Sequence, residues 1–274
     1  MSSALAETTP VDPATATSGS TMECAIELSG IGKTFGRGKA AITALDGVDL
    51  RMAPGEFLCL LGASGCGKST LLNLIANLDQ PSTGSIVRNT ARPAVMFQEA
   101  ALMPWLTVQR NVELPMRLHR VPKAERAEKV AELLDLVRLS GVNDKRPHEL
   151  SGGMRQRVAL ARALASAAGT EEADEPSLLL MDEPFAALDA ITRDVLQGEL
   201  IRIWRKTKTA VLFVTHDVRE ATRLGQRVVL LSSRPGRVVR EWHTRDIDGT
   251  GDSAEVTDEI TAALREVISQ HAAT

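Results

Sequence analysis

Apolar residues come in short unbroken runs set between amphipathic stretches. Phe57-Leu-Cys-Leu-Leu61, Ser177-Leu-Leu-Leu-Met181, Ala210 to Val214 and Val228 to Leu231 are such runs. Their shortness and apolar character read as buried strands, and Ala210 to Val214 is β-branched as well. Cys24-Ala-Ile-Glu-Leu28 and Ile42 to Met52 also read as strands, with a turn at Gly36-Arg-Gly-Lys39 between them. Ser85 to Arg88, Ala94 to Phe97 and Val238 to Trp242 complete the predicted strands. Lys68 to Leu78 lacks Gly and Pro and reads as a helix; a second runs from Asp189 to about Arg205, and Glu255 to Gln270 forms a short C-terminal one.

The middle of the chain has a different character. Thr107 to Leu139 is mostly helical, with breaks expected near Pro115 and Pro122. Ala127, Val130, Leu133 and Leu134 fall on one helical face. Another helix opens near Leu150 and runs to about Ser166. Helices without strands here predict a helical subdomain, about 99–168, inserted into an α/β domain spanning 24–245. Residues 1–23, rich in Ala, Ser, Thr and Pro, read as a disordered tail, and 246–274 as a C-terminal extension. No internal repeat is visible.

Composition narrows the function classes. The 274 residues carry a net charge of −3, no tyrosine and only 3% aromatics. Base-stacking surfaces and nonspecific nucleic-acid binding are therefore not expected. Cys24, Cys59 and Cys66 lack metal-binding spacing and suit a reducing compartment. No apolar run approaches the roughly 20 residues that span a bilayer, and the N-terminus lacks a basic-then-apolar leader. The expectation is a cytoplasmic protein that reaches a membrane only through a partner.

The candidate chemistry centres on Gly62-Ala-Ser-Gly-Cys-Gly-Lys-Ser-Thr70, which satisfies G-x-x-x-x-G-K-[ST] between a strand and a helix start. Glycines let backbone N–H groups wrap a phosphate chain, and the helix N-terminus adds partial positive charge. Lys68 would reach β- and γ-phosphates, and the Ser69 hydroxyl would ligate Mg²⁺. Three further strands end in polar residues. Gln98 follows Phe97, Asp182-Glu183 follows Met181, and His216 follows Thr215. Asp182 can hold Mg²⁺, and Glu183 can polarise a water; the plainer reading of such a pair is a helix start. His216 alone would more often be structural. Ser151-Gly-Gly153 is by itself only a helix cap, and Phe35 by itself a core or edge aromatic. The Gly169 to Pro176 stretch, with four acidic residues, reads as a solvated loop.

With these motifs in this order, residues from about Ile26 to Trp242 resemble the ATP-binding subunit of an ABC transporter. Leu150-Ser-Gly-Gly-Met154 looks like the family signature. The resemblance implies a P-loop NTPase core of the ABC type, with an antiparallel β subdomain and the inserted helical subdomain. It implies ATP and Mg²⁺ as ligands. Gly62, Ala63, Ser64, Gly65, Cys66, Gly67, Lys68, Ser69 and Thr70 would hold the phosphates, and Phe35 would stack on adenine. Ser69, Gln98 and Asp182 would attend Mg²⁺. Glu183, His216, Lys68 and Gln98 would serve catalysis. The family also implies a head-to-tail homodimer, in which Ser151, Gly152 and Gly153 act on the partner's nucleotide and Asp189 communicates across the interface.

A narrower similarity points to the nitrate, sulfonate and taurine importers. It rests on Phe97-Gln-Glu-Ala-Ala-Leu-Met-Pro-Trp-Leu-Thr-Val108, Met181-Asp-Glu-Pro-Phe-Ala-Ala-Leu-Asp-Ala190 and Leu231-Ser-Ser-Arg-Pro-Gly236. Transmembrane permease subunits, and through them a solute-binding protein, are the implied partners, with this chain peripheral on the cytoplasmic face. Two departures stand out: Gly84 to Ala94 is shorter than usual, and 169–176 looks inserted. The alternatives are a soluble ABC ATPase acting on nucleic acid or ribosomes, and a phosphoryl-transfer kinase. The first usually carries two cassettes or long coiled coils, which are absent here; the second would need an acceptor-substrate lid, which is also absent here, and would not need Ser151-Gly-Gly153.

Overall fold

The structure is a computed structural model that describes residues 24–90, 93–168, 177–244 and 253–272. The tail at 1–23 and the acidic stretch at 169–176 lie outside the described residues.

Two sheets share the work. β1 (Ile26–Phe35), β2 (Ile42–Met52) and β4 (Thr83–Arg88) form a three-stranded antiparallel sheet in the order β2-β1-β4. The second sheet is built on β3 (Phe57–Leu61), β5 (Ala94–Met96), β6 (Leu178–Asp182), β7 (Ala210–Thr215), β8 (Arg227–Leu231) and β9 (Val238–His243). Its order is β5-β6-β7-β3-β8-β9, parallel except for the antiparallel edge strand β9.

The unbroken apolar runs have a direct cause: this sheet is covered on both faces. Leu58, Leu60, Leu178, Leu180, Leu212 and Val214 face the three-stranded sheet and α1 (Lys68–Ile75). Phe57, Cys59, Leu61, Leu179, Met181 and Phe213 face the opposite core with the remaining helices. Alternation along each strand therefore separates two apolar layers, not an apolar from a polar one.

The helical insert comprises α2 (Val108–Leu118), α3 (Lys123–Leu136) and α4 (Gly152–Ala168). The break expected at Pro115 does not occur: α2 runs through it to Leu118. Val108, Val112 and Met116 are buried in the core that α2 shares with α4. That packing outweighs the one lost backbone hydrogen bond, about 3 kcal/mol for an interior proline. Three shorter corrections apply. β1 extends well past Leu28, to Phe35, through irregular pairing with β2, and the turn that follows holds a 3₁₀ turn at Gly38–Ala40. α5 (Ala190–Thr207) follows its cap Asp189. After α6 (Val218–Leu224), the C-terminal helix α7 (Ser253–Ala272) is 20 residues long, not short.

Candidate functional site

The parallel strands point their C-terminal ends to one edge, where ligands bind in open α/β sheets. A cleft of about 780 Å³ lies there. Residues 62–65 and 67–70 line it, with Gln98, Glu183, His216 and Phe35. Segments far apart in the chain thus converge because β3, β5, β6 and β7 are neighbours in one sheet.

The loop after β3 is shaped for close approach. Gly65 and Gly67 adopt φ of 75° and 111°, conformations that side chains resist. A Cβ on Gly67 would come within 2.8 Å of both the Ala44 carbonyl oxygen and Leu45 Cδ2. Gly67 starts α1, so the helix N-terminus opens on the cleft. Lys68 is nearly buried and donates to the Gly62 and Ala63 carbonyls at 2.8 and 2.9 Å. Its ammonium is held over the loop, where an anion would meet it. Cys66 does not line the cleft; its thiol is buried in the core under the loop, and burial pushes its pKa up.

Asp182 is also buried and stands behind the cleft. Burial raises its pKa, while the Ser69 hydroxyl and Lys68 pull it down. The Ser69–Asp182 pair is a hydroxyl and a carboxylate of the kind that Mg²⁺ takes beside phosphate oxygens, so the donor set fits that ion. Glu183 has a left-handed backbone, φ 46°, at the strand end, a strain usually kept where geometry matters. Its N–H remains tied to the Val214 carbonyl at 3.0 Å. Its carboxylate lies 3.1 Å from His216 Nδ1, an ion pair when the ring is protonated, with Nε2 as the other hydrogen-bonding atom of the ring.

The His216 loop has a support that sequence reasoning missed. Glu220 on α6 is buried, accepts from the Thr215 hydroxyl at 2.7 Å and from Gln197 Nε2 at 3.1 Å, and lies 3.7 Å from Arg193. Burial raises its pKa. The Asp217 carboxylate caps α6 through the Arg219 and Glu220 amides. A Glu five residues past a strand end carries no distinctive signal without the fold.

Ser151, Gly152, Gly153 and Asp189 do not line this cleft. Ser151 caps α4 by accepting from the Met154 amide at 3.2 Å. A Cβ on Gly153 would stand 3.4 Å from Leu188 Cδ2, so the starts of α4 and α5 adjoin. Asp189 accepts from the Thr192 amide at 3.0 Å, and this bond lowers its pKa. Gln98 joins the two regions: its carbonyl accepts from Gln156 of α4 at 3.3 Å. Arg234, Leu264 and Ile268 also line the cleft and were not anticipated as site residues. Arg234 donates to the Gly65 carbonyl at 3.2 and 3.1 Å.

The ABC transporter family model matches residues 45–186. The chain belongs to that family. It is 48% identical over 203 residues to the aliphatic sulfonates import ATP-binding protein SsuB of Bacillus subtilis, covering 72% of this chain and 75% of that one. It is 48% identical over 207 residues to a taurine import ATP-binding protein of Mesorhizobium japonicum, covering 73% and 77%. The nitrate import ATP-binding protein NrtD of Synechocystis is 42% identical over 223 residues, covering 79% and 81%. A solved dimer of the ATP-binding cassette MJ0796 with ADP and phosphate superposes with a TM-score of 0.71 at 33% identity, covering 81% of this chain and all of that one. The fold is thus that of an ABC ATPase, and the activity of such a protein is ATP hydrolysis.

Proposed function

We propose that this chain powers an importer for a small anionic or sulfonate-like solute of the taurine, sulfonate or nitrate type. The names of the relatives support the solute class. The observation that carries the mechanism is the Glu183–His216 pair at 3.1 Å in the same cleft as Lys68. Mg²⁺, attended by Ser69, Asp182 and Gln98, would neutralise phosphate charge when bound. Lys68 and the α1 N-terminus hold the β- and γ-phosphates. The Glu183 carboxylate orients a water toward the γ-phosphate and accepts its proton. His216, braced on Glu183 through Nδ1, offers Nε2 to the phosphate.

The separation of residues 151–153 from the cleft supports a two-chain site. Ser151 and the exposed amides of α4 then meet the partner's nucleotide in a head-to-tail homodimer, with Asp189 beside them. Among the described residues no helix is long and apolar enough to cross a membrane; transmembrane permease subunits would place the chain on the cytoplasmic face. Their docking site is the groove of about 240 Å³ beside β5, lined by Leu78, Phe97, Pro115 and Arg162. Trp105, 67% exposed, stands on the adjacent loop, whose Ala100 and Ala101 carbonyls accept from Arg162. An exposed apolar patch of this kind suits a partner helix.

Uptake of taurine, aliphatic sulfonates and nitrate in a strain deleted for this chain tests the reading. Loss of uptake of one class, restored by the wild type and not by Trp105→Glu, is expected. Unchanged uptake of all three in the deletion strain overturns the importer assignment.

A further inference from the structure

One part of the cleft lining is supplied by α7. Leu264 and Ile268, one turn apart, line the cleft with Phe35 and Ile42. Phe35, Ile42 and Ile268 are 45, 51 and 48% exposed, so each presents apolar surface without a protein neighbour on its free side. Such surface gains from meeting an apolar face of a ligand.

The helix is firmly seated. Ile260 is fully buried and Val267 nearly so. Trp242 Nε1 donates to Glu259 at 3.0 Å, and the Ser233 hydroxyl donates to the Val267 carbonyl at 3.2 Å. The next residue, Arg234, donates to Gly65 of the phosphate loop. Two adjacent residues therefore tie α7 and the phosphate loop to one turn, and the distance between the apolar wall and the loop is set. On the other side, Lys33 Nζ lies 5.0 Å from the Phe35 ring centroid and does not line the cleft. Its ammonium backs the ring from outside, held there by Asp79 and the Gln80 carbonyl at 2.6 and 2.8 Å.

We propose that α7 is the second wall of the base site: the purine of a nucleoside triphosphate lies between the Phe35 ring and the Leu264–Ile268 edge. This rests on reading the cleft as the nucleotide site. Neither wall carries a donor or acceptor, so the slot reads a flat ring and not its edge, and ATP and GTP bind alike.

Titration calorimetry on the full chain with Mg²⁺, using ATP and inorganic tripolyphosphate as separate probes, tests it. Because Ile268 is half exposed, Ile268→Ser leaves the buried face of α7 intact. Ile268→Ser should weaken ATP about three- to tenfold, from the aliphatic area uncovered, and leave tripolyphosphate affinity unchanged. Ile268→Phe should hold or tighten ATP. Lys68→Ala should weaken both probes. Wild-type ATP affinity in Ile268→Ser, or an equal loss of both probes, overturns the wall. Unchanged binding of both probes by Lys68→Ala would instead overturn the nucleotide reading of the cleft itself.

Discussion

At one end of the cleft, Glu183 and His216 follow β6 and β7, and Lys68 follows the loop after β3; every residue of those three strands is buried. At the other end, Phe35, Ile42 and Ile268 are about half exposed and come from a hairpin and a C-terminal helix. The phosphate end is rigid, polar and dense in hydrogen bonds. The opposite end is apolar and has few directional contacts. The difference follows from what each must meet. A triphosphate rewards charges and N–H groups fixed in advance, because they cost no reorganisation when the ligand arrives. A purine face rewards only apolar area, which tolerates small displacements.

The strongest way to break this contrast is at the phosphate end. Lys68→Ala should abolish ATP hydrolysis, because the charge facing the phosphates is gone. Its ammonium also satisfies two loop carbonyls, so a stability loss of about 1–2 kcal/mol should appear in denaturant melts. Wild-type turnover in this variant would remove the phosphate-loop assignment.

Glu183→Gln keeps the shape and removes the proton acceptor. Turnover should fall roughly 10²- to 10⁴-fold, while ATP still binds. With ATP and Mg²⁺ the variant should elute as a dimer on size exclusion, whereas nucleotide-free wild type elutes largely as a monomer. A monomeric variant with near-normal turnover would assign water activation to another group.

Glu220 tests whether the rigidity of this end is built in its surroundings. Glu220→Ala leaves the Thr215 hydroxyl and Gln197 amide without their acceptor and should cost about 1–3 kcal/mol in denaturant melts. The pH dependence has a definite sign. Burial raises this carboxyl's pKa in the folded chain, so the folded state binds the proton more tightly than the unfolded one. Ionisation therefore costs stability: the cost is absent below the ordinary Glu pKa and grows as pH rises through the raised one. Glu220→Gln lacks that slope, so its melting temperature relative to wild type should rise with pH across that window. A pH-independent difference would show that Glu220 does not titrate there.

The smallest effect belongs to the base end. Phe35→Ala should weaken ATP by on the order of 1 kcal/mol, with GTP affected equally. Unchanged nucleotide affinity would leave Phe35 as a surface aromatic of the hairpin.

How much of this was legible follows the same division. The phosphate loop, Gln98, Asp182-Glu183 and His216 were readable because each closes an apolar run, and a parallel sheet gathers the ends of its strands. The run through Pro115 was not, because its outcome depended on Val112 and Met116 packing in the core shared with α4. Glu220 was not, because a buried carboxylate is identified by its partners, Thr215 on β7 and Gln197 and Arg193 on α5, which come from two other elements.

The sequence alone determined the local chemistry: glycines where the loop must reach positive φ, a lysine at a helix start, acids and a histidine at strand ends. These are short-range requirements, met by neighbours in the chain. Tertiary structure alone decided that Ser151 to Gly153 would stand apart from the cleft lined by residues of their own chain, and that α7 would bring Leu264 and Ile268 to Phe35. Those outcomes depend on which apolar faces pack together across some two hundred residues, and no local pattern encodes a distance of that kind.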